Sequence, residues 1–146
     1  MWPGALTRVL ADRLGPERVS AADPSPPFVA ECAAALPGVT VRQGCAKALP
    51  FDDAGFDGAL AQLVIHFVPD PPAFGRELRR VLRPGGVAAA CAWDFAEGMP
   101  MLRLFWDAAL TIDPSAPDEA RTLRFGREGE IAEWLAAAGF TETCSR

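Results

Sequence analysis

Apolar residues recur along this chain at two spacings, one typical of helices and the other typical of buried strands. The first helical pattern runs from Ala5 to Leu14, and Gly15 and Pro16 end it. Short apolar runs then alternate with further helical patterns. The predicted strands are 18–22, 39–42, 56–64 and 87–93, and the later predicted helices are 24–36, 72–82, 101–110 and 128–138.

Short strands that alternate with helices predict an α/β fold, a Rossmann-like parallel sheet with helices on both faces. The run of small apolar residues from Val87 to Trp93 supports this fold, because a strand covered on both faces has few polar positions. A further strand is expected to open at 140–144. Since no repeat, low-complexity tract or linker divides the elements, we predict a single domain over residues 1–146.

The composition narrows the class of protein. Of 146 residues, 50% are apolar, which is enough for a substantial core, while no apolar run approaches the ~18 residues of a membrane span. With no signal-like start at Met1, a soluble cytoplasmic protein is expected. The net charge of -5 argues against nucleic acid as a partner, because phosphate binding needs a surplus of lysine and arginine.

The positions of cysteine and histidine argue against a metal site. The 4 cysteines are scattered without a CxxC pair, and the single histidine, His66, has no neighbouring cysteine. Neither a zinc site nor a disulfide framework is therefore expected.

Candidate ligand-binding residues follow the predicted strands, because ligands of an open α/β sheet bind beyond the carboxyl ends of its strands. Asp23 ends the first of these strands, and a carboxylate there can accept hydrogen bonds from two vicinal ribose hydroxyls. Aspartate before proline is also a common turn starter, so both interpretations of Asp23 stay open. Gln62, His66 and the pair Trp93-Asp94 lie at the ends of later strands in the same way.

Three motifs together are more specific than any one of these residues. Gly44-Cys45-Ala46-Lys47-Ala48-Leu49-Pro50-Phe51 follows a strand, Leu63 to Val68 ends the next strand, and Glu77 to Gly86 joins a helix to the last. With them the chain resembles the class I S-adenosylmethionine-dependent methyltransferases, in particular the group that includes the ubiquinone and menaquinone methyltransferases. The Arg83-Pro84-Gly85-Gly86 turn has a structural role, because proline ends the helix and glycine permits a positive φ.

The resemblance implies S-adenosylmethionine as the cofactor. The residues expected to bind it are, in chain order, Gly4, Asp23, Pro24, Phe28, Cys45, Ala46 and Gln62. The ribose is expected at the aspartate, and the adenine between the proline, the phenylalanine and the 45–46 backbone. The donor methyl would point toward Gln62 and His66.

Methyl transfer is an in-line displacement at a sulfonium carbon, so the protein has mainly to align the reactants and exclude water. Some acceptors also need a general base, and His66 is the candidate, because histidine alone has an ordinary pKa near physiological pH. A lone histidine in an apolar strand is, alternatively, a packed and hydrogen-bonded residue. Trp93, Asp94 and Phe105 are candidate walls of the acceptor pocket, or ordinary packing residues.

The chain departs from the family's pattern at two places. Cys45 stands where the family has an aspartate that accepts a hydrogen bond from adenine. A thiol is a weak acceptor, so cofactor binding is expected to be weaker by ~1.5–3 kcal/mol. The resemblance also begins within the glycine-rich loop, without the first strand, and stops before the family's last strand. The sheet is therefore expected to be incomplete at both ends, with repacking, a second copy of the chain or a partner's strand filling the gap. A misplaced start, with the first strand encoded upstream of Met1, is the remaining alternative.

The sequence thus predicts an S-adenosylmethionine-dependent methyltransferase that acts on an unidentified small-molecule acceptor. The alternative is an inactive methyltransferase-like fragment that serves as an interaction module or needs a partner chain. A nicotinamide-dependent dehydrogenase would share the fold and the ribose aspartate. That enzyme, however, needs a GxGxxG motif before its first helix, which this chain lacks.

Overall fold

The computed structural model describes residues 4–95 and 97–144. The chain forms two compact units, the first extending to Asp53 and the second beginning at Ala54. Each unit holds two parallel strands together with its own helices. The α/β architecture with parallel strands is confirmed, whereas a single domain over the whole chain stays a prediction.

The first unit contains two helices and one parallel ladder. Helix α1 (Ala5–Leu14) is followed by a 3-10 turn (Pro16–Arg18), strand β1 (Ser20–Asp23), helix α2 (Pro26–Ala35) and strand β2 (Thr40–Gln43). The ladder begins with Ser20 opposite Thr40 and ends with Asp23 opposite Gln43. Buried apolar residues at the centre of this unit are Ala11, Val19, Cys32 and Leu36.

The second unit contains the remaining elements. They are β3 (Phe56–Gln62), a 3-10 turn (Ile65–Phe67), α3 (Pro71–Val81), β4 (Leu82–Cys91), α4 (Pro100–Ile112), α5 (Glu119–Thr122) and α6 (Glu130–Ala137). β3 and β4 pair in parallel, and α3 packs against both β4 and α6. The buried apolar residues of this unit include Ala61, Ile65, Phe74, Leu78, Val81, Leu82, Trp134 and Leu135. The apolar pattern predicts each α-helix and strand except α5, whose 4 residues are too few to show a helical period.

Helix α3 carries its start signal and its core face in its own sequence. The Asp70 carboxylate caps the first turn by accepting a hydrogen bond from the Ala73 N–H at 3.0 Å, and Pro71 begins the helix. Apolar residues at helical spacing form its buried face, namely Phe74, Leu78 and Val81. Helix α6 is fastened to the start of α3, because the Trp134 Nε1–H donates to the Pro71 carbonyl at 2.8 Å.

The turn between α3 and the regular part of β4 is the Arg83-Pro84-Gly85-Gly86 segment. Leu82 and Val87 pair with β3 on either side of this segment, so the segment bulges out of the ladder. Gly85 has a φ of 80°, a left-handed conformation that glycine adopts at little cost. The predicted break before the alanine-rich strand is therefore confirmed.

The β3–β4 ladder has one covered and one exposed face. The covered face carries Ala59, Ala61, Ala88 and Ala90, which are buried or half-buried. The exposed face carries Gly58, Leu60 and Gln62 of β3 with Val87, Ala89 and Cys91 of β4. Leu60 is 49% exposed and Val87 is 66% exposed, although parallel strands are normally covered on both faces.

The predicted strand at 140–144 is wrong. Helix α6 ends in a Schellman motif, in which the Gly139 and Phe140 N–H groups donate to carbonyls of the last helical turn. Gly139 has a φ of 89° and Glu142 a φ of 58°, so the backbone turns where a strand needs an extended conformation. Within the described part of the chain, no strand pairs with this segment. The same part of the chain contains no helix with the length and apolar character of a membrane span.

Candidate functional site

Asp23 lies at the carboxyl end of β1 and starts the turn into α2. Its Oδ1 accepts a hydrogen bond from the Ser25 N–H at 2.7 Å, and its carbonyl accepts one from the Gly44 N–H at 3.1 Å. The side chain is half-buried. The turn-starting interpretation of Asp23 is therefore confirmed, and it leaves Oδ2 of the same carboxylate for a ligand, since no described residue donates to that oxygen.

The segments after β1 and β2 are tied together beside this carboxylate. The Gln43 side-chain amide donates to the Pro24 carbonyl at 3.3 Å, so the end of β2 holds the turn after β1. Phe28, in the first turn of α2, is 49% exposed. The first unit thus brings Asp23, Pro24 and Gln43 together and leaves an aromatic ring accessible on the adjoining helix.

The loop after β2 is folded tightly on itself. Cys45 and Ala48 form an isolated antiparallel bridge, with the Ala48 N–H donating to the Cys45 carbonyl at 3.0 Å. A Cβ on Gly44 would lie 2.5 Å from Cδ of Pro50, so only glycine fits there without movement of the proline. Close packing against Pro50 therefore explains why glycine begins the motif at 44–51. Cys45 and Ala46 are both half-buried in this loop.

Gly4 precedes α1 as its N-cap residue, with a φ of 89°. A Cβ at this position would lie 2.8 Å from Sγ of Cys32, so glycine allows the start of α1 to approach α2 closely. The Cys32 thiol is buried, and burial together with the charge of Asp23 raises its pKa. Cys32 is therefore a protonated packing residue rather than a nucleophile. Residues 1–3 lie outside the described part of the chain.

In the second unit, Gln62 ends β3 and is exposed. The chain then leaves the ladder through Leu63, whose φ is 57° and whose N–H donates to the Cys91 carbonyl at 2.9 Å. A 3-10 turn follows at Ile65–Phe67, and Ile65 is fully buried. This buried turn fixes the position of His66.

His66 is only 6% exposed and uses both ring nitrogens. Nδ1 lies 2.5 Å from the Arg124 carbonyl oxygen, and Nε2 accepts a hydrogen bond from the Trp93 N–H at 2.9 Å. Because a carbonyl only accepts, Nδ1 carries the proton and the ring is neutral. The geometry favours the packed interpretation of this histidine, and its role as a general base stays a prediction.

Trp93 and Asp94 follow β4, as expected. The Trp93 side chain is 43% exposed, and Oδ1 of Asp94 accepts a hydrogen bond from the Glu97 N–H at 2.9 Å. Phe95 lies beside His66, with 5.2 Å between the ring centroids. The second unit thus brings His66 and Trp93 together at the carboxyl end of its ladder, while Phe105 lies on a separate helix.

Helix α4 carries an exposed apolar face, which we name the α4 stripe. Its residues recur at helical spacing and are Met101 (77% exposed), Leu104 (72%), Phe105 (59%) and Ile112 (88%). A run of large apolar side chains on one helical face is unusual in contact with water. The sequence pattern predicts helix α4 and places Phe105 among its apolar residues. It does not predict that this apolar face is exposed to water.

Sequence reasoning missed the ion pair that anchors α4. The Arg103 guanidinium donates to both carboxylate oxygens of Asp118, at 3.1 and 2.7 Å, and to Asp107 at 3.2 Å. Asp118 is 2% exposed and also caps α5 through the Ala120 N–H. The hydrogen bonds from Arg103 lower the pKa of Asp118 and raise the pKa of Arg103. Asp118 stands directly before α5, and an aspartate at that position is a known signal for a helix cap. Nothing in the sequence marks its arginine partner.

No group of three potential metal ligands occurs among the residues that the structure describes. The described site residues contribute hydrogen-bonding and packing chemistry. In the first unit that chemistry centres on the Asp23 carboxylate, and in the second on the His66 imidazole.

Known proteins resemble this chain over most of its length. Residues 3–90 match the family model described as a methyltransferase domain. The 2-methyl-6-phytyl-1,4-hydroquinone methyltransferase 2 of Oryza sativa subsp. japonica is 33% identical over 141 residues, which cover 95% of this chain and 36% of the relative. A Mycobacterium ulcerans protein named "Probable phthiotriol/phenolphthiotriol dimycocerosates methyltransferase 2" is 38% identical over 104 residues, or 69% of this chain and 38% of the relative. The chain thus spans little more than a third of the length of these two relatives.

Solved structures share the fold. A SAM-dependent methyltransferase from Thermotoga maritima superposes with a TM-score of 0.67 at 26% sequence identity. The match covers 96% of this chain and 61% of the other. The Rossmann-like interpretation of the alternating strands and helices is therefore confirmed.

Proposed function

Because the chain belongs to the methyltransferase-domain family, within the S-adenosylmethionine-dependent class, we propose that it transfers a methyl group from S-adenosylmethionine to a lipophilic small-molecule acceptor. The family match extends over residues 3–90 and includes the first unit with its Asp23 carboxylate. The acceptor class is inferred from the names of the relatives and from the α4 stripe.

The observation that carries the proposal is the open carboxylate oxygen at the end of β1. Oδ1 of Asp23 is fixed by Ser25, which sets the orientation of the whole carboxylate. Oδ2 then supports the proposal as an acceptor for a ribose hydroxyl, and a charged acceptor makes such a hydrogen bond stronger than a neutral one. The exposed ring of Phe28 offers an apolar surface for adenine.

The remaining cofactor residues stay predictions of the sequence resemblance. In the first unit these are Gly4, Pro24 and the backbone at 45–46, and in the second unit Gln62. With cysteine at position 45, we expect weaker cofactor binding than with aspartate there, by roughly ten- to a hundredfold.

Methyl transfer requires alignment of the two reactants more than it requires acid or base catalysis. S-adenosylmethionine supplies a methyl group on a positively charged sulfur. In such a transfer the acceptor's nucleophilic atom would bond to this carbon as the carbon–sulfur bond breaks. The electron pair of that bond would stay on the sulfur of the departing S-adenosylhomocysteine, and the acceptor's proton would pass to solvent. Residues that orient the acceptor and exclude water therefore dominate, and Trp93, Asp94 and Phe105 are the proposed ones.

A lipophilic acceptor is favoured by two observations. Both named relatives carry lipophilic acceptors in their names, a phytyl hydroquinone and a dimycocerosate. The α4 stripe contains no charged residue and exposes Phe105 together with Met101, Leu104 and Ile112. A long apolar tail would bury this surface, at about 25 cal/mol for each Å² removed from water.

A methyl-transfer assay tests the proposal with defined compounds. The purified chain is incubated with methyl-labelled S-adenosylmethionine and either 2-methyl-6-phytyl-1,4-hydroquinone or the same ring without its phytyl tail. We expect labelled product from the phytyl compound and little from the tailless ring. Equal transfer to both compounds would contradict a role for the apolar tail, and no transfer to either from a protein that binds the cofactor would contradict the acceptor class.

The alternative function, an interaction module that needs a partner chain, has one observation in its favour. β1 pairs only with β2 and β3 only with β4 among the described residues, so each of these strands has an open edge. Size-exclusion chromatography with hydrogen exchange separates the two functions. A monomer with slow amide exchange in β1 and β3 would contradict the need for a partner strand. The predicted cytoplasmic location and the possible pairing of two copies stay predictions.

A further inference from the structure

We propose that His66 is a positioning residue, which joins the end of β4 to the segment before α6 and so sets the acceptor side of the site. The inference rests on the proposed function. It replaces the role of general base with a structural reason for a histidine at this position. We name its two hydrogen bonds, to Arg124 and from Trp93, the His66 clamp.

The directions of the two hydrogen bonds determine which ring nitrogen of His66 carries the proton. The Arg124 carbonyl requires a proton on Nδ1, and the Trp93 N–H requires a lone pair on Nε2. A neutral imidazole with the proton on Nδ1 satisfies both, and no other tautomer does. In this geometry the ring has no lone pair left to take a proton from an acceptor.

The His66 ring is buried. His66 is 6% exposed, and its ring contacts Phe95 at 5.2 Å and Phe67 at 6.1 Å between ring centroids. Buried polar groups carry a high cost when they lose a partner, so the clamp holds both of its partners strongly. An exposed histidine with the same two contacts would exchange them for water.

The His66 clamp positions one backbone segment on each side of the ring. On one side it fixes the backbone of Trp93, whose side chain is 43% exposed and is a proposed acceptor contact. On the other side it fixes Arg124, next to Phe125, which has an unusual φ of 63°. A left-handed bulky residue persists only where its surroundings hold it, and here the His66 bond and the Phe125–Trp134 ring contact at 5.9 Å do so.

A cavity lies beside the His66 clamp. It has a volume of about 260 Å³ and is lined by Phe95 and Arg124 together with Glu119, Arg121 and Arg127. His66 contacts the first two of these residues directly. Loss of the clamp would therefore change the shape of this cavity as well as the position of Trp93.

Three variants separate positioning from catalysis. His66→Phe keeps an aromatic ring and removes both hydrogen bonds. His66→Gln places an acceptor near Nε2 for the Trp93 N–H, and His66→Asn places a donor near Nδ1 for the Arg124 carbonyl. We expect His66→Phe to raise the KM for 2-methyl-6-phytyl-1,4-hydroquinone about tenfold or more, with partial recovery in His66→Gln and His66→Asn and little change in kcat.

A general base would give a different result. All three variants would then lose kcat together, by roughly a hundred- to ten-thousandfold, and the pH–rate profile would lose an ionisation. That outcome would overturn the proposal.

The His66 clamp can also be tested without measuring methyl transfer. A failure of the clamp can therefore be distinguished from a failure of the proposed function. Nitrogen NMR of the full chain should show a neutral imidazole with its proton on Nδ1, and the Trp93 amide should exchange slowly in the wild type and in His66→Gln. The Trp93 amide should exchange much faster in His66→Phe. A proton on Nε2, or equal exchange of the Trp93 amide in all three proteins, would overturn the proposal whether or not an acceptor is methylated.

Discussion

Arg103 of α4 and Asp118 at the start of α5 form an ion pair in which the carboxylate is almost fully buried. The pairing lowers the pKa of Asp118 below its ordinary value, chiefly through the hydrogen bonds from Arg103. A depressed carboxyl pKa means that the pair stabilises the fold above the unfolded value, about 3.9, and that this stabilisation is lost as the pH falls through the folded value. The attachment of α4 is therefore sensitive to acid.

Asp118→Asn tests this ion pair, since asparagine keeps an acceptor for the Ala120 N–H but removes the charge. We expect the variant to be less stable than the wild type at neutral pH, and the difference to shrink as the pH falls below about 3.9. Urea unfolding at several pH values measures the difference. Glu128→Gln, at an exposed position of the same unit, is the control, and a difference for Asp118→Asn that does not change with pH would contradict this account.

At the scale of residues, the sequence identifies groups whose chemistry depends on their place next to a strand. Asp23, His66 and Trp93 all follow strands, and the structure places each at the end of its ladder. The Arg103–Asp118 pair could not be predicted, because its partners are separated by a loop whose path is not encoded in any local pattern. The clamp partner Arg124 was missed for the same reason, since it offers a backbone carbonyl, which every residue has.

Helix α3 crosses α6 at Gly75, and this crossing leaves no room for a side chain. A Cβ at Gly75 would lie 2.7 Å from the Cβ of Ala138 and 3.3 Å from Nε1 of Trp134. We expect Gly75→Ala to destabilise the protein by ~1–3 kcal/mol, because the two helices must move apart and strain the Trp134–Pro71 hydrogen bond.

Urea unfolding measures this effect. Arg76→Ala, at an exposed position one residue along the same helix, is the control and should change stability by less than about 0.5 kcal/mol. Gly75→Ala with wild-type stability would contradict the close packing of α3 on α6.

The α4 stripe gives an element-scale prediction for function. Because Leu104 and Phe105 are mostly exposed, replacing both by serine should change the free energy of unfolding by less than about 1 kcal/mol. The same change should raise the KM for the phytyl hydroquinone about tenfold and leave cofactor affinity unchanged.

Steady-state kinetics with both substrates measures the two effects. Thr111→Ala is the matched control on α4, since among the described residues its hydroxyl bonds only to the Asp107 carbonyl of its own helix. An unchanged acceptor KM in the double serine variant would remove the α4 stripe from the acceptor site.

At the scale of elements, the prediction succeeds where local signals agree. α3 has a cap at Asp70, a proline start and an apolar period, and its predicted bounds differ from the observed ones by one residue. The 140–144 segment has the composition of a strand, but a strand also needs a neighbour to pair with, and composition does not supply one.

The whole molecule consists of two units, each with a two-stranded parallel ladder. The ladders join β1 to β2 and β3 to β4, and both pairs are parallel. The parallel direction of the pairing could be predicted, because short strands alternate with helices along the chain. The exposed face of the β3–β4 ladder could not be inferred, because its alanine-rich pattern predicts burial on both sides.

Isothermal titration of the chain with S-adenosylhomocysteine tests the central claim most directly, since the product binds the cofactor site without any acceptor. We predict saturable binding to the wild type and to Asp12→Asn, an exposed carboxylate on α1, and binding at least about tenfold weaker for Asp23→Asn. The absence of heat at millimolar ligand from folded protein would contradict the cofactor assignment. Equal affinity of Asp23→Asn and the wild type would contradict the role of the β1 carboxylate.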